Sequence, residues 1–299
     1  MYLTVVHHPK AGRGEYSRAR LCKALRDAGH QVRYFKKDRG NNWKKGLAGQ
    51  HEVVVVAGGD GTVAKVARCL VGRKIPLAVL PLGTANNLAR TLGFAGSVQK
   101  LITQFETATP RALDVGVARG PWGSSLLFEG AGGGLLADYM SAARNGKHLS
   151  RREELRAHVV GLHDLLKRFR ARSWTIWING QRTTSDRYLF FEALNTAFVG
   201  PSLRLAPAAR MDDGQFDLVL ARENDRELLN DYLAARIASG RQTPFPLPAQ
   251  RFKTLRIQCS KMRLHLDSKL EPPKKAPTRN RLNFRLEVQS EALIVLSKS

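Results

Sequence analysis

From residue 1 to about residue 110, short continuous apolar runs alternate with longer stretches in which apolar residues recur every three or four positions. The first pattern belongs to strands and the second to helices, and their alternation predicts a parallel sheet flanked by helices. Strands are expected at Tyr2 to His8, Gln31 to Lys36, His51 to Ala57 and Ile75 to Leu80. The third contains Val53-Val54-Val55-Val56, an unbroken β-branched run suited to a strand covered on both faces. Helices are expected near residues 15 to 28, 62 to 71 and 86 to 106, with Gly29 placed as a C-terminal cap.

Beyond Pro110 the pattern becomes strand-like pieces separated by turns: Ala112 to Ala118, Trp174 to Ile178, Tyr188 to Leu194, Phe216 to Leu220 and Leu255 to Ile257. Leu282 to Val288 and Ala292 to Leu296 close the chain in the same manner. The fold class that follows is α/β, an N-terminal parallel-sheet domain joined to a mostly antiparallel, β-sandwich-like C-terminal domain. Two helices interrupt the second part. In residues 150 to 171, Leu155, Val159, Leu162, Leu166 and Phe169 form one apolar stripe flanked by Arg151, Arg152, Arg156, Lys167, Arg168, Arg170 and Arg172. Such a helix either faces a core with a solvated basic side or docks on an anionic bilayer. The other helix spans Arg226 to Ser239, and Glu271 to Arg281, with three prolines, reads as an exposed basic loop.

Charge changes the picture. Lysine and arginine number 49 against 25 acidic residues, a formal net charge of +24. That excess points to phosphate-bearing partners, either nucleic acid or an anionic lipid leaflet, or else to a merely solvated, solubilising surface. Reader modules and interleaved aromatic platforms are missing from the sequence, so specific nucleic-acid recognition is not expected. Three cysteines without CxxC spacing suit a reduced, cytoplasmic setting. The first residues lack a signal-peptide pattern, and no apolar run approaches the roughly 20 residues that span a bilayer. The histidines, including His7, His8, His158 and His163, show no metal-ligand spacing and are given ordinary structural roles.

The candidate chemistry lies in three turns that each follow a predicted strand, where open α/β sheets bind ligands. His8-Pro9-Lys10-Ala11-Gly12-Arg13-Gly14 is a basic turn able to meet phosphate. Gly58-Gly59-Asp60-Gly61-Thr62 joins a buried strand to a helix, so its amides and the helix start can receive an anion. Asp60 can hold magnesium or its waters, and Thr62 can cap the helix and bond a phosphate oxygen. The plainer reading is a tight turn with Asp60 as cap. Pro81-Leu82-Gly83-Thr84-Ala85-Asn86-Asn87 adds donors and acceptors at a third strand end.

Together these segments resemble the diacylglycerol kinase catalytic-domain family, which shares Gly-Gly-Asp-Gly-Thr with sphingosine kinases and NAD kinases. The resemblance extends over most of the chain and implies two domains. Residues 1–110 would bind the nucleotide, and residues 111–299 would form a β-rich lipid-substrate domain whose final strand can return to the first. It further implies an ATP-dependent lipid kinase using Mg²⁺, with ATP in the interdomain cleft on His8, Lys10, Gly12, Arg13, Gly58, Gly59, Asp60, Gly61, Thr62, Gly83, Thr84 and Asn86.

A diacylglycerol-like lipid is the implied substrate, reached by peripheral contact with an anionic membrane from the cytoplasm. Asp267, in Leu266-Asp267-Ser268-Lys269, corresponds to the family's late Asp-Gly-Glu aspartate and is the implied general base, with Asp60 beside it in the catalytic set. In the stretch from Gly200 to Asp217, the Asp213 carboxylate and the carbonyls of Arg210 and Gln215 are the implied magnesium ligands; read without the family, this is an Asp-Gly turn. Asn87 stands where many relatives have aspartate, His8 where many have asparagine, and Lys269 where the signature has glutamate. Two alternatives follow: a nucleotide-binding, membrane-associated regulator without transfer activity, and an NAD kinase.

Overall fold

The computed structural model describes residues 1–38, 40, 42–49, 51–94, 96–143, 150–183, 186–200, 203–273, 277 and 281–297. The chain forms two compact units, Met1–Asp114 with Ser290–Ser299, and Val115–Gln289.

In the first unit β1 (Tyr2–His7) leads through a 3-10 turn at Ala11–Gly14 to α1 (Arg18–Asp27), β2 (Gln31–Lys36) and the short α2 (Asn42–Lys45). Then come β3 (Val53–Gly58), α3 (Asp60–Ala67), β4 (Leu77–Pro81), α4 (Asn87–Thr91) and α5 (Val98–Thr103). The strands are parallel in the order β2-β1-β3-β4. Val53 to Val56 are buried throughout, as a strand covered on both faces requires. From β1 the chain goes to one side for β2 and returns to the other side for β3. The C-terminal ends of β1 and β3 therefore flank a topological switch point, the place where such sheets open a crevice.

Helix boundaries follow local chemistry. The Ser17 hydroxyl accepts the Arg20 N–H at 3.2 Å, so α1 starts three residues later than its apolar spacing predicts. Gly29 follows α1 at φ 81°, as its place in the sequence predicts. The helix expected over 86–106 is instead two short ones, because Gly93 adopts φ 78° and a new N-cap, Ser97, starts α5. The helix expected at 62–71 begins already at Asp60 and ends its regular bonding at Ala67.

β5 (Thr109–Gly120) leads into the second unit, followed by β6 (Gly123–Leu127), β7 (Gly130–Gly134), α6 (Leu135–Ala142), α7 (Arg151–Arg168), β8 (Arg172–Ile178), β9 (Gln181–Arg182) and β10 (Asp186–Leu194). β11 (Phe216–Arg222), α8 (Arg226–Ser239), β12 (Ala249–Phe252), β13 (Thr254–Cys259), β14 (Leu264–Leu266) and β15 (Lys269–Glu271) follow. Last is β16 (Leu282–Ser297), one strand where the pattern predicts two. Its early residues pair with β13, while Val295 lies beside Leu77 in the first unit's sheet. Of the loop expected at Glu271 to Arg281, Glu271 closes β15, and residues 274–276 and 278–280 lie outside the described residues.

The second unit is antiparallel. One run of strands is β12-β11-β10-β7-β14-β15, and another joins β9, β8, β13 and the start of β16. A core of Trp174, Tyr188, Phe191, Phe216, Phe252 and Phe284 fills it, with Trp174 stacked on Tyr188 at 5.4 Å. A second core lies under α6, α7 and α8, where Val159, Leu162 and Leu166 meet Leu189, Phe190, Leu229 and Leu233. Each such buried side chain contributes about 1.5–3 kcal/mol. The apolar stripe of α7 is thus committed to the protein core, and Phe169 caps the helix in extended conformation instead of continuing it. Its N-terminus carries a capping box, Ser150 with Glu153. The side chains of Arg151 and Arg152 lie outside the described residues.

Candidate functional site

The three turns singled out by the sequence meet in the first unit, and they meet through backbone. A Cβ on Gly83 would stand 2.5 Å from the Cα of Gly59, and one on Gly12 would stand 2.7 Å from the Leu82 carbonyl oxygen. Real Cβ atoms do not approach main chain so closely, so glycine is what lets the ends of β1, β3 and β4 touch. Hydrogen bonds repeat the arrangement, from His8 N–H to the Ala57 carbonyl and from Leu82 N–H to the Gly58 carbonyl, both at 2.9 Å.

Asp60 ties two of these turns together. Its Oδ2 accepts the Asn86 N–H at 2.7 Å, and the Leu88 and Asn87 amides also act on it, so the carboxylate serves the exposed donors of α4 from a different helix. Burial pushes its carboxyl above the ordinary aspartate value against the pull of those amides. Within its own helix Asp60 is the first residue and Gly59 the cap. Thr62 is no cap either, since its N–H donates to the Gly59 carbonyl at 2.8 Å from inside the first turn. Asn86 is left-handed at φ 53°; its Oδ1 accepts the Gly83 N–H at 2.9 Å and its Nδ2 donates to the Gly83 carbonyl at 2.8 Å. The side chain offered by sequence as a ligand donor thus pins the turn, and Asn87 beside it is buried. Thr84 is exposed at the tip, while Gly61 and Thr62 are half-buried. Arg13 lies in the 3-10 turn, its side chain outside the described residues.

Beside the first turn opens a pocket of about 980 Å³ lined by His8, Lys10, Lys36, Lys37, Asp38, Trp43, Lys44, Lys65 and Arg68. Burial and then the charges of Lys37, Lys65 and Lys10 lower the His8 pKa, which leaves the ring neutral near pH 7. Lys37 is likewise lowered by burial and by Lys65, Asp38 opposing. A group of cations that weaken one another is relieved by an anion. Sequence reading found His8 and Lys10 here and missed Lys36, Lys37, Lys44, Lys65 and Arg68. These come from β2, α2, α3 and the residues that directly follow β2 and α3, and they share no motif, so only the fold assembles them.

In the second unit Asp267 follows β14 in left-handed conformation at φ 50° and is 8% exposed. Its Oδ1 accepts the backbone N–H groups of Phe128, Glu129 and Gly130 at 3.1, 2.9 and 3.2 Å, and its own N–H donates to the Gly130 carbonyl at 2.7 Å. Lys269 pairs with Glu271 two residues on. At the other predicted position Asp213 Oδ1 accepts the Gln215 N–H at 3.1 Å and Oδ2 lies 3.9 Å from Arg251, while the Arg210 side chain reaches Asp212 at 3.3 Å. Both Asp213 oxygens thus have partners within the protein, and Arg251 would compete with any cation drawn to this carboxylate. Among the described residues no three His, Cys, Asp or Glu side chains gather as a metal shell. His7, His158 and His163 bond Tyr34, Tyr139 and Asn230.

Comparison with known proteins completes the description. Residues 2–118 match the diacylglycerol kinase catalytic domain, and residues 135–296 match the YegS C-terminal NAD kinase beta sandwich-like domain. A diacylglycerol kinase of Bacillus subtilis (strain 168) is 25% identical over 228 residues, covering 73% of each chain. A Pseudomonas aeruginosa protein named "Probable lipid kinase YegS-like" is 29% identical over 227 residues, covering 72% of this chain and 70% of its own. The crystal structure of a diacylglycerol kinase from Bacillus anthracis strain Sterne shares the fold, with a TM-score of 0.69 at 16% identity over 99% of this chain and 97% of that one.

Proposed function

Because this chain belongs to the diacylglycerol kinase catalytic-domain family, we propose that it is an ATP-dependent lipid kinase, with a diacylglycerol-like lipid as acceptor. The observation that carries the reading is the backbone contact of the three glycine turns at the switch point of the first sheet. In this reading the ATP phosphates lie against Gly58 to Thr62, the His8 to Gly14 turn and Gly83-Thr84, with the lysine-lined pocket supplying positive potential. Magnesium arrives with ATP as part of the substrate and spreads the charge on the transferring group. Asp60 and Asn86 act as positioning residues that keep the turns in register.

Asp267 accepts the proton of the lipid hydroxyl while that oxygen bonds the γ-phosphorus and the bond to the bridging oxygen of ADP breaks. Three amides on one carboxylate oxygen fix the direction in which the group presents itself. A resident magnesium on Asp213 and the carbonyls of Arg210 and Gln215 would brace the turn before β11. Among the described residues no helix is long and apolar enough to cross a membrane. In this reading the enzyme meets its lipid peripherally, from the cytoplasmic side.

Purified protein given labelled ATP, magnesium and a panel of diacylglycerol, monoacylglycerol, sphingoid base, ceramide, phosphatidylglycerol and NAD tests this. Label in a lipid, lowered about 100-fold or more by Asp267→Asn with ATP binding kept, is the expected result. ATP binding without transfer to any acceptor would favour the regulator instead, and label in NAD would favour the NAD kinase.

A further inference from the structure

The second unit holds a fully buried acid–base pair that the proposed chemistry does not use. Glu192 on β10 and His265 on β14 both stand opposite Gly132 of β7, one on each side, so the three residues form a row across three strands. His265 Nε2 lies 2.8 Å from Glu192 Oε2 and 3.0 Å from Oε1, with side chains 3% and 0% exposed. The room for this meeting is the missing side chain of Gly132, whose Cβ would collide with the Glu192 carboxylate. The other ring nitrogen, Nδ1, lies 3.1 Å from the carbonyl oxygen of Asp267. A carbonyl only accepts, so Nδ1 carries a proton, and Nε2 faces a carboxylate.

We propose that the Glu192–His265 pair is a positioning device for Asp267: Glu192 fixes the imidazole, and the imidazole holds the Asp267 carbonyl so that its carboxylate stays on the Phe128–Gly130 amides in the geometry that phosphoryl transfer uses. This rests on the lipid-kinase reading for its consequence, but not for its geometry. Asp267 is left-handed, a conformation uncommon outside glycine that aspartate tolerates better than most residues. Its N–H and its carboxylate both bond the Phe128–Gly130 segment, while its carbonyl bonds the imidazole, the one partner that belongs to a buried acid–base pair. Burial favours the neutral ring, but the charge and hydrogen bond of Glu192, and then Asp267, outweigh it and hold the His265 pKa above its ordinary value.

The experiment separates this role from simple support of the core. Glu192→Met with His265→Leu removes both charges and leaves an apolar pair of similar bulk, which buried ion pairs tolerate without loss of stability. Positioning predicts a folded variant whose kcat for lipid phosphorylation falls about 10- to 100-fold with KM for ATP unchanged. It also predicts faster hydrogen exchange at the Phe128, Glu129 and Gly130 amides. Glu192→Gln, whose amide can still bond the ring while Nδ1–H keeps Asp267, should rescue both readouts to near wild type.

If the double variant keeps wild-type kcat and exchange, the pair only supports the core and the proposal is overturned. Should the double variant not fold, Glu192→Gln with His265→Gln carries the same test, since two neutral amides leave no unpaired charge in the core while the rigid ring that reaches Glu192 and Asp267 from opposite edges is gone. Wild-type protein that phosphorylates no lipid would sink the functional reading while the exchange rates still decide on positioning.

Discussion

At the residue scale the most informative contacts are those made by glycines. The sequence reading assigned the glycines of the three turns to phosphate, and the fold adds a second demand, contact between the turns themselves. Gly83 shows it best, because its absent Cβ would meet the Gly59 Cα and also stand 2.8 Å from Asn86 Oδ1. Main chain cannot swing aside as a side-chain tip does. Gly83→Ala should therefore cost about 1–3 kcal/mol in thermal or denaturant unfolding and weaken ATP binding by separating the β3 and β4 turns. A stable variant with unchanged ATP affinity in calorimetry would show that the turns need not touch. Asp60 carries a similar lesson: its residue type was legible as site chemistry, yet its oxygen is committed to the Asn86 amide, a partner 26 residues away that no local pattern names.

At the element scale, strands were read more accurately than helices, and the reason is physical. β1 and β3 are short apolar runs whose limits are set by burial, which the sequence displays directly. Helix limits depend on caps and on left-handed residues, so Ser17 delayed α1 and Gly93 divided the helix expected over 86–106. β7 was missed altogether, since Gly130-Ala131-Gly132-Gly133-Gly134 has no apolar alternation and is a strand only because β10 and β14 bond to both of its edges.

That same β10-β7-β14 row gives the fold a pH dependence. His265 is raised above 6.5 in the folded protein, with Glu192 and Asp267 as the charged groups acting on it. Its contribution to stability is therefore complete below about pH 6.5 and is lost as pH rises through the elevated folded value. Melting temperature should decline over that alkaline window in the wild type, and Glu192→Gln should flatten the decline. Parallel curves for the two proteins would mean that the pair does not titrate with folding.

At the scale of the whole molecule, the α/β and antiparallel character of the two parts and the family were legible, because alternating patterns and three spaced motifs report on topology and chemistry together. What composition left open was the use of a net charge of +24. The sequence offered α7 as a helix that could insert its apolar stripe in a bilayer, but Val159, Leu162 and Leu166 are buried in the core beneath it. Insertion of that stripe would require unpacking the second core, at about 1.5–3 kcal/mol for each residue withdrawn. Membrane contact, if it is made through charge, then has no apolar anchor in α7 and must obey screening. Flotation should recover the protein with vesicles rich in anionic lipid and not with neutral ones at about 0.1 M salt, where the Debye length is about 10 Å. Raising the salt to about 1 M, where that length is about 3 Å, should release it. Recovery that survives high salt, or that is equal on neutral vesicles, would point to an apolar attachment which the packing of α7 does not provide.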